Sequence, residues 1–117
     1  MVKAKKYLGI HLIAEFWGSE VIEDRKKIRE ILIKAVKKAN NTPLEILVHK
    51  FRPQGLTGIV LLAESHIAIH TWPEFKYVAV DIYTCGNKAN PMKALGYIKE
   101  QFRPKKFEIK KLKRGKV

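Results

Sequence analysis

Residues 58–86 read GIVLLAESHIAIHTWPEFKYVAVDIYTCG, and whether this stretch is sheet or helix decides the fold. Ile59, Val60, Ile67, Ile69 and Thr71 are β-branched, and residues 77–84 alternate Val78, Val80 and Ile82 with Ala79, Asp81 and Tyr83, the period of a half-buried strand. Pro73 forbids a helix through the middle and makes, with Trp72, a turn. The stretch predicts one strand starting at Gly58 and running through Glu64, Ser65 and His66 to Ile69, then a second over 77–84 that ends at Cys85 and Gly86. The polar triplet is the anomaly. Three adjacent polar groups in a buried strand each cost free energy if unpaired, which favours a function that uses the serine.

Working outward, residues 7–17, YLGIHLIAEFW, are rich in strand formers and bounded by Gly18 and Ser19. The period then changes to helical: Ile28, Ile31, Leu32, Ala35, Val36 and Ala39 share a face, with Lys26, Lys27, Lys34, Lys37 and Lys38 on the others. Ser19 is the expected cap, Glu20, Glu23 and Asp24 suit the positive end, and Asn40, Asn41 and Pro43 stop the helix. Residues 44–51 read as a strand. A second helix takes Asn90 as cap and Pro91 at its first position, is expected to bury Met92, Leu95, Ile98 and Phe102, and ends before Pro104. Residues 106–112 add a last strand. The order β-α-β-β-β-α-β predicts an α+β two-layer sandwich, a mainly antiparallel sheet with two helices on one face.

A chain of 117 residues is one domain, so any active site lies within it or between copies of it. No run of eighteen apolar residues exists and MVKAKKYLGI lacks the apolar core of a signal peptide, so the expected location is cytoplasmic, with no membrane partner. The single cysteine, Cys85, excludes an intrachain disulfide framework and a multi-cysteine metal site. The formal charge of +13 invites a nucleic-acid reading. Residues 105–117, KKFEIKKLKRGKV, supply much of that charge, and the remainder is largely lysine on one helix and at the N-terminus without the interleaved aromatics a single-strand binder needs, so the reading favours a solvated lysine-rich surface and no nucleic acid.

His66, His70 and Glu74 would share a face on a helix and suggest a metal, but on a strand the two histidines are about 13 Å apart, too far to clasp one ion, so no metal is expected. A serine hydrolase using Ser65 and His66 fails because strand neighbours point to opposite faces. A cysteine hydrolase pairing Cys85 with His70 survives this geometry but leaves Glu64 and Ser65 unexplained.

The segment ESHIAIHTWPEFKYVAVDIYTCG, residues 64–86, resembles the signature of the prokaryotic S-adenosylmethionine decarboxylases, the small pyruvoyl-dependent proenzymes of spermidine synthesis. The similarity extends to GIHLIAEFW and FRPQGLTGIV, hence from Gly9 to about Phe102. It implies self-cleavage between Glu64 and Ser65 into chains 1–64 and 65–117 that stay associated. Ser65 is the implied precursor of a pyruvoyl group that forms a Schiff base with the substrate, His70 the processing residue and Cys85 the catalytic proton donor. No pyridoxal phosphate is implied. Phe51 would stack on the adenine and Glu74 would hold the ribose hydroxyls. For the sulfonium cation, Phe16, Trp17, Phe51 and Trp72 are the aromatic candidates. Thr57 stands where the family carries serine, and its hydroxyl can still support processing. A half-sized chain with one open sheet is expected to pair as a homodimer with sites near the interface. A pyruvoyl-dependent arginine decarboxylase is the alternative of like chemistry; a cysteine hydrolase and a basic RNA-binding module are those from other classes.

Overall fold

The computed structural model describes residues 6–85 and 89–117. Residues 1–5, part of the stretch that lacks a signal-peptide core, and Gly86, expected to end a strand, lie outside the described residues. Along the chain run β1 (Tyr7–Trp17), α1 (Arg25–Lys38), β2 (Pro43–Lys50), β3 (Leu56–Leu62), β4 (Ser65–Trp72), a single 3-10 turn (Pro73–Phe75), β5 (Tyr77–Cys85), α2 (Pro91–Phe102) and β6 (Lys106–Lys116). The strands form one antiparallel sheet in the order β2-β3-β4-β5-β1-β6. The α+β two-layer class is as expected.

The expected single strand over 58–69 is instead a hairpin. It breaks at Ala63 and Glu64, and Leu62 pairs with Ser65 across the turn. The reason is a change of parity in the apolar pattern. In β3 the even positions Leu56, Val60 and Leu62 are buried, whereas in β4 the odd positions Ile67, Ile69 and Thr71 are. A continuous strand would send these two sets to opposite faces, and only a reversal returns both to one core.

That core lies between the sheet and the helices. Leu12, Ala14 and Phe16 of β1 and Val78, Val80 and Ile82 of β5 join the β3 and β4 residues against Ile28, Ile31, Leu32, Ala35 and Val36 of α1 and Ala94, Leu95, Ile98 and Phe102 of α2. Two details of the helices depart from expectation. Asp24, rather than Ser19, caps α1, its carboxylate accepting from the Lys26 N–H at 3.0 Å. Ser19 is instead buried, its backbone N–H donating to the Lys76 carbonyl, while the extended segment after it lays Ile22 against the core. Met92 is 47% exposed, because a helix starting at Pro91 buries Pro91, Ala94, Leu95, Ile98 and Phe102 and turns position 92 outward. The basic tail is not a free arm. It forms β6, four residues longer than expected, with Lys106 over Trp17 and Arg114 over Tyr83.

The sheet face away from the helices carries His11, Glu15 and Trp17 of β1, His66, His70 and Trp72 of β4, and Tyr77, Asp81 and Tyr83 of β5. Leu47, Ile59, Leu61 and Leu112 on this face are exposed, Leu47 by 70%. Leu47, Ile59 and Leu61 adjoin on β2 and β3, and a contiguous uncovered apolar patch of this kind marks an interaction surface.

The layers approach closely at Gly58, where an added Cβ would lie 2.9 Å from both Ile28 Cγ2 and Leu32 Cδ1. Gly58→Ala should therefore destabilise the fold by roughly 1–3 kcal/mol through overpacking of α1 against β3. Urea unfolding measures it, and an unchanged midpoint would contradict the packing described.

Candidate active site

The β3–β4 turn is gripped from two sides. The Ala63 N–H donates to the Thr42 carbonyl at 2.9 Å, and the Glu64 carboxylate accepts from the Thr42 N–H at 3.0 Å and from Thr42 Oγ1 at 3.4 Å. From the other side comes Cys85. The β4–β5 register sets Ser65 opposite Thr84, which leaves Cys85 hanging over the turn. Its N–H and its thiol both donate to the Glu64 carbonyl oxygen, at 3.1 and 3.2 Å. Two donors converging on one carbonyl oxygen are the arrangement that stabilises negative charge developing there.

Ser65 follows that carbonyl with φ of +146°, a region that side chains other than glycine's rarely adopt and that costs of order 1–3 kcal/mol. The twist also removes Ser65 from strand alternation. Its Oγ lies 3.3 Å from His66 Nδ1, so the expectation that adjacent residues must point apart fails at this position. His66 was missed as a partner of Ser65 for that reason. Alternation is a property of extended backbone, and a positive φ cannot be read from Ser65 itself.

A second group lies toward the other end of β4. Thr57 pairs with His70 across the β3–β4 ladder, and Thr57 Oγ1 is 3.1 Å from His70 Nδ1. Both line a pocket of about 320 Å³ together with Phe51, Gln54, Trp72 and Glu74. The loop that forms its wall is tied down by three backbone donors: Phe51 N–H to the Gly55 carbonyl, Gly55 N–H to Glu23 Oε1 and Leu56 N–H to Thr71 Oγ1, at 2.8, 2.7 and 2.8 Å. The sequence-predicted residues thus fall into two sets: Glu64, Ser65 and Cys85 at one end of β4, and Phe51, Thr57, His70 and Glu74 at the other.

Within one chain the two sets do not meet. Ser65 and His70 are five residues apart on one strand, about 16 Å. His70 stands opposite Ala79, six residues from Cys85 on β5, about 20 Å, so a cysteine hydrolase pairing Cys85 with His70 fails in a single chain. Of the aromatic candidates, Phe16 is fully buried under the helices, while Trp72 lines the pocket. Among the described residues no group of three or more His, Cys, Asp or Glu is close enough to hold a metal ion, and no helix is long and apolar enough to cross a membrane.

Between the two sets runs a polar band. His11 Nε2 is 3.3 Å from Asp81 Oδ1, and the Tyr77 hydroxyl donates to Glu15 Oε1 at 2.8 Å. Burial, then that hydrogen bond and the charges of Glu15 and Asp81, push the Tyr77 phenol up to about 12.

A helix-backed antiparallel sheet with its reactive side chains on the uncovered face defines the class. A sequence profile of the family described as S-adenosylmethionine decarboxylase matches residues 10–115. The chain belongs to the S-adenosylmethionine decarboxylase family. It is 45% identical to an S-adenosylmethionine decarboxylase proenzyme of Pelotomaculum thermopropionicum, over 94% of this chain and 89% of the relative. It is 48% identical to one of Pyrococcus furiosus, over 92% and 79%. The crystal structure of an adenosylmethionine decarboxylase from Aquifex aeolicus superposes with a TM-score of 0.89 at 43% identity, over 97% of this chain and 95% of that one.

Tyr77 gives a pH prediction. Its folded pKa lies above the ordinary 10.0, so the neutral phenol is preferred in the folded protein. That contribution is fully present below about pH 10 and is lost as pH rises toward 12. The stability difference between the parent and Tyr77→Phe should shift across this window, measured by urea unfolding at several alkaline pH values. A difference that stays constant from pH 9 to 12 would contradict the Tyr77–Glu15 contact.

Proposed function

We propose that this chain is a self-cleaving proenzyme that splits between Glu64 and Ser65, keeps chains 1–64 and 65–117 together, and then decarboxylates S-adenosylmethionine to make an aminopropyl donor for spermidine synthesis. The observation that carries the reading is the Glu64 carbonyl held by both donors of Cys85 directly before a serine with φ of +146°. Attack of Ser65 Oγ on that carbonyl turns an amide into an ester. The Cys85 donors lie where the oxyanion forms, and the fixed turn makes the attack intramolecular. Breaking the amide also releases the strain stored at Ser65. Loss of the Ser65 α-proton then expels the ester carboxylate, which becomes the C-terminus of chain 1–64, and hydrolysis of the remaining dehydroalanine gives the pyruvoyl group and ammonia.

A pyruvoyl group supplies an electrophilic carbonyl that accepts the substrate's amine and holds the electrons released with carbon dioxide. The residues around Ser65 fit its formation, because hydroxyl, scissile carbonyl and oxyanion donors are adjacent. Cys85 Sγ, beside the same carbonyl, is the proton donor to the substrate α-carbon. The pocket's Phe51 and Trp72 offer flat faces to an adenine ring and a sulfonium, and Glu74 offers acceptors to ribose hydroxyls. Together with the family match, this aromatic lining favours S-adenosylmethionine over arginine.

The 16 Å between Ser65 and His70 supports a homodimer as the working form. His70 sits on the sheet face that exposes Leu47, Ile59, Leu61 and Leu112, and Ser65 Oγ reaches His66 of that face at 3.3 Å. Two copies stacked face to face about a twofold axis crossing the strands would run their β4 strands in opposite directions. The Ser65 end of one copy then meets the end of β4 that carries the partner's His70, and the symmetry makes two equivalent sites. His70 is then the base for the α-proton, oriented by Thr57.

Ser65→Ala should remain one chain by intact mass and have no activity. Cys85→Ala, which keeps its N–H but loses the thiol, should cleave more slowly and then release carbon dioxide from S-adenosylmethionine about 10²- to 10⁴-fold more slowly than the parent. A parent that stays intact, or Ser65→Ala that yields two chains, would overturn the reading. The shared site has its own test. Ser65→Ala and His70→Ala chains, each uncleaved alone, should restore cleavage of the His70→Ala chain when co-expressed. If the mixture stays uncleaved, His70 does not act across an interface.

A further inference from the structure

Before Ser65 Oγ can attack, something must take its proton. His70 of the same chain is about 16 Å away and its Nδ1 is engaged with Thr57 Oγ1. The Cys85 thiol points at the scissile carbonyl as a donor. His66 Nδ1, 3.3 Å from Ser65 Oγ, is the basic nitrogen in place.

The ring is also held. His66 stands opposite Tyr83 in the β4–β5 ladder, and Tyr83 stands opposite His11 in the β1–β5 ladder. The three rings cluster across the strands, with centroids 6.2 Å apart for His66–Tyr83, 6.4 Å for His11–His66 and 5.7 Å for His11–Tyr83. Asp81 anchors the far end through His11 Nε2 at 3.3 Å. This ladder limits the rotation of the His66 ring, and the unusual φ of Ser65 turns its hydroxyl toward Nδ1.

We propose that His66 is the general base of the first processing step, an inference that rests on the self-cleavage reading above. The step needs the tautomer with Nδ1 unprotonated and the proton on Nε2. As Ser65 Oγ bonds to the Glu64 carbonyl carbon, the hydroxyl proton passes to His66 Nδ1 and the carbonyl π pair moves onto oxygen, toward the two Cys85 donors. The C–N bond then breaks, its electron pair stays with the Ser65 nitrogen, and the imidazolium returns the proton to that nitrogen. An amide and a hydroxyl become an ester and an amine, with His66 neutral again and no other reactant used. In this division of labour His66 serves the acyl shift, and the partner's His70 serves the later removal of the α-proton.

The test follows conversion of freshly translated precursor to two chains by intact mass, for the parent, His66→Ala and His66→Asn. Circular dichroism of each variant in the Ser65→Ala background verifies the fold. His66→Ala should slow conversion by about 10²- to 10⁴-fold, and added imidazole should recover part of the rate. His66→Asn, which accepts the hydrogen bond but takes no proton, should stay slow. Conversion of His66→Ala at the parent rate, a parent-like rate in His66→Asn, or slowing that imidazole leaves unchanged would each overturn the assignment. These results are separable from failure of the underlying reading, in which the parent itself would show no cleavage between Glu64 and Ser65.

Discussion

The hold of Cys85 on the Glu64 carbonyl is the contact around which the rest of this protein is arranged. It exists because β5 runs one residue past the start of β4 and so overhangs the β3–β4 turn. The same turn must reverse the chain so that Leu62 and Ile67 return to one core. The apolar demand of that core and the polar demand of the turn are met within two residues, Ala63 and Glu64. Thr42 secures the turn from the β2 side, and the strain left over falls on Ser65. The Glu64–Ser65 bond thus joins a carbonyl hydrogen-bonded twice to a residue in a rarely adopted conformation.

The sheet separates stability from chemistry by face. Toward the helices, every strand from β1 to β5 contributes aliphatic side chains to the core or against it. On the far face the strands carry histidines, acids, tyrosines and tryptophans. The small Ala68 and Ala79 lie among them, so the middle of the face is low enough for another sheet to approach. Pairing through this face would cover the exposed leucines and bring the two ends of β4 together. Folding of one chain and assembly of the proposed site would then be successive events, with the proposed cleavage waiting on the second.

The net charge of +13 falls largely on α1 and β6. Helix α1 carries its lysines outward, and β6 lines the sheet edge with them, where a row of lysine side chains discourages further strand addition. Lys99 sets its ammonium 3.5 Å from the Phe107 ring centroid and Arg114 its guanidinium 4.9 Å from that of Tyr83, both cation–π contacts.

Much of this was legible in the sequence. The period-two pattern of β1 and β5, the helical spacing from Ile28 to Val36, and Asn90–Pro91 at the start of α2 encode local structure in side-chain order, so the α+β class could be read directly. The parity change between Leu62 and Ile67 was also written there, although the polar triplet masked it as an anomaly within one strand. The family signature picked out Ser65, His70 and Cys85 by residue type. What the sequence could not carry is which of these atoms meet. The contact of Cys85 with Glu64 depends on the β4–β5 register, the pairing of Ser65 with His66 on a single positive φ, and the gathering of Phe51, Thr57, His70 and Glu74 on the β3–β4 ladder and a pinned loop. Each is set by long-range hydrogen bonds between distant segments. Side-chain order along a chain specifies faces, whereas register and turn geometry are decided only when the strands pair.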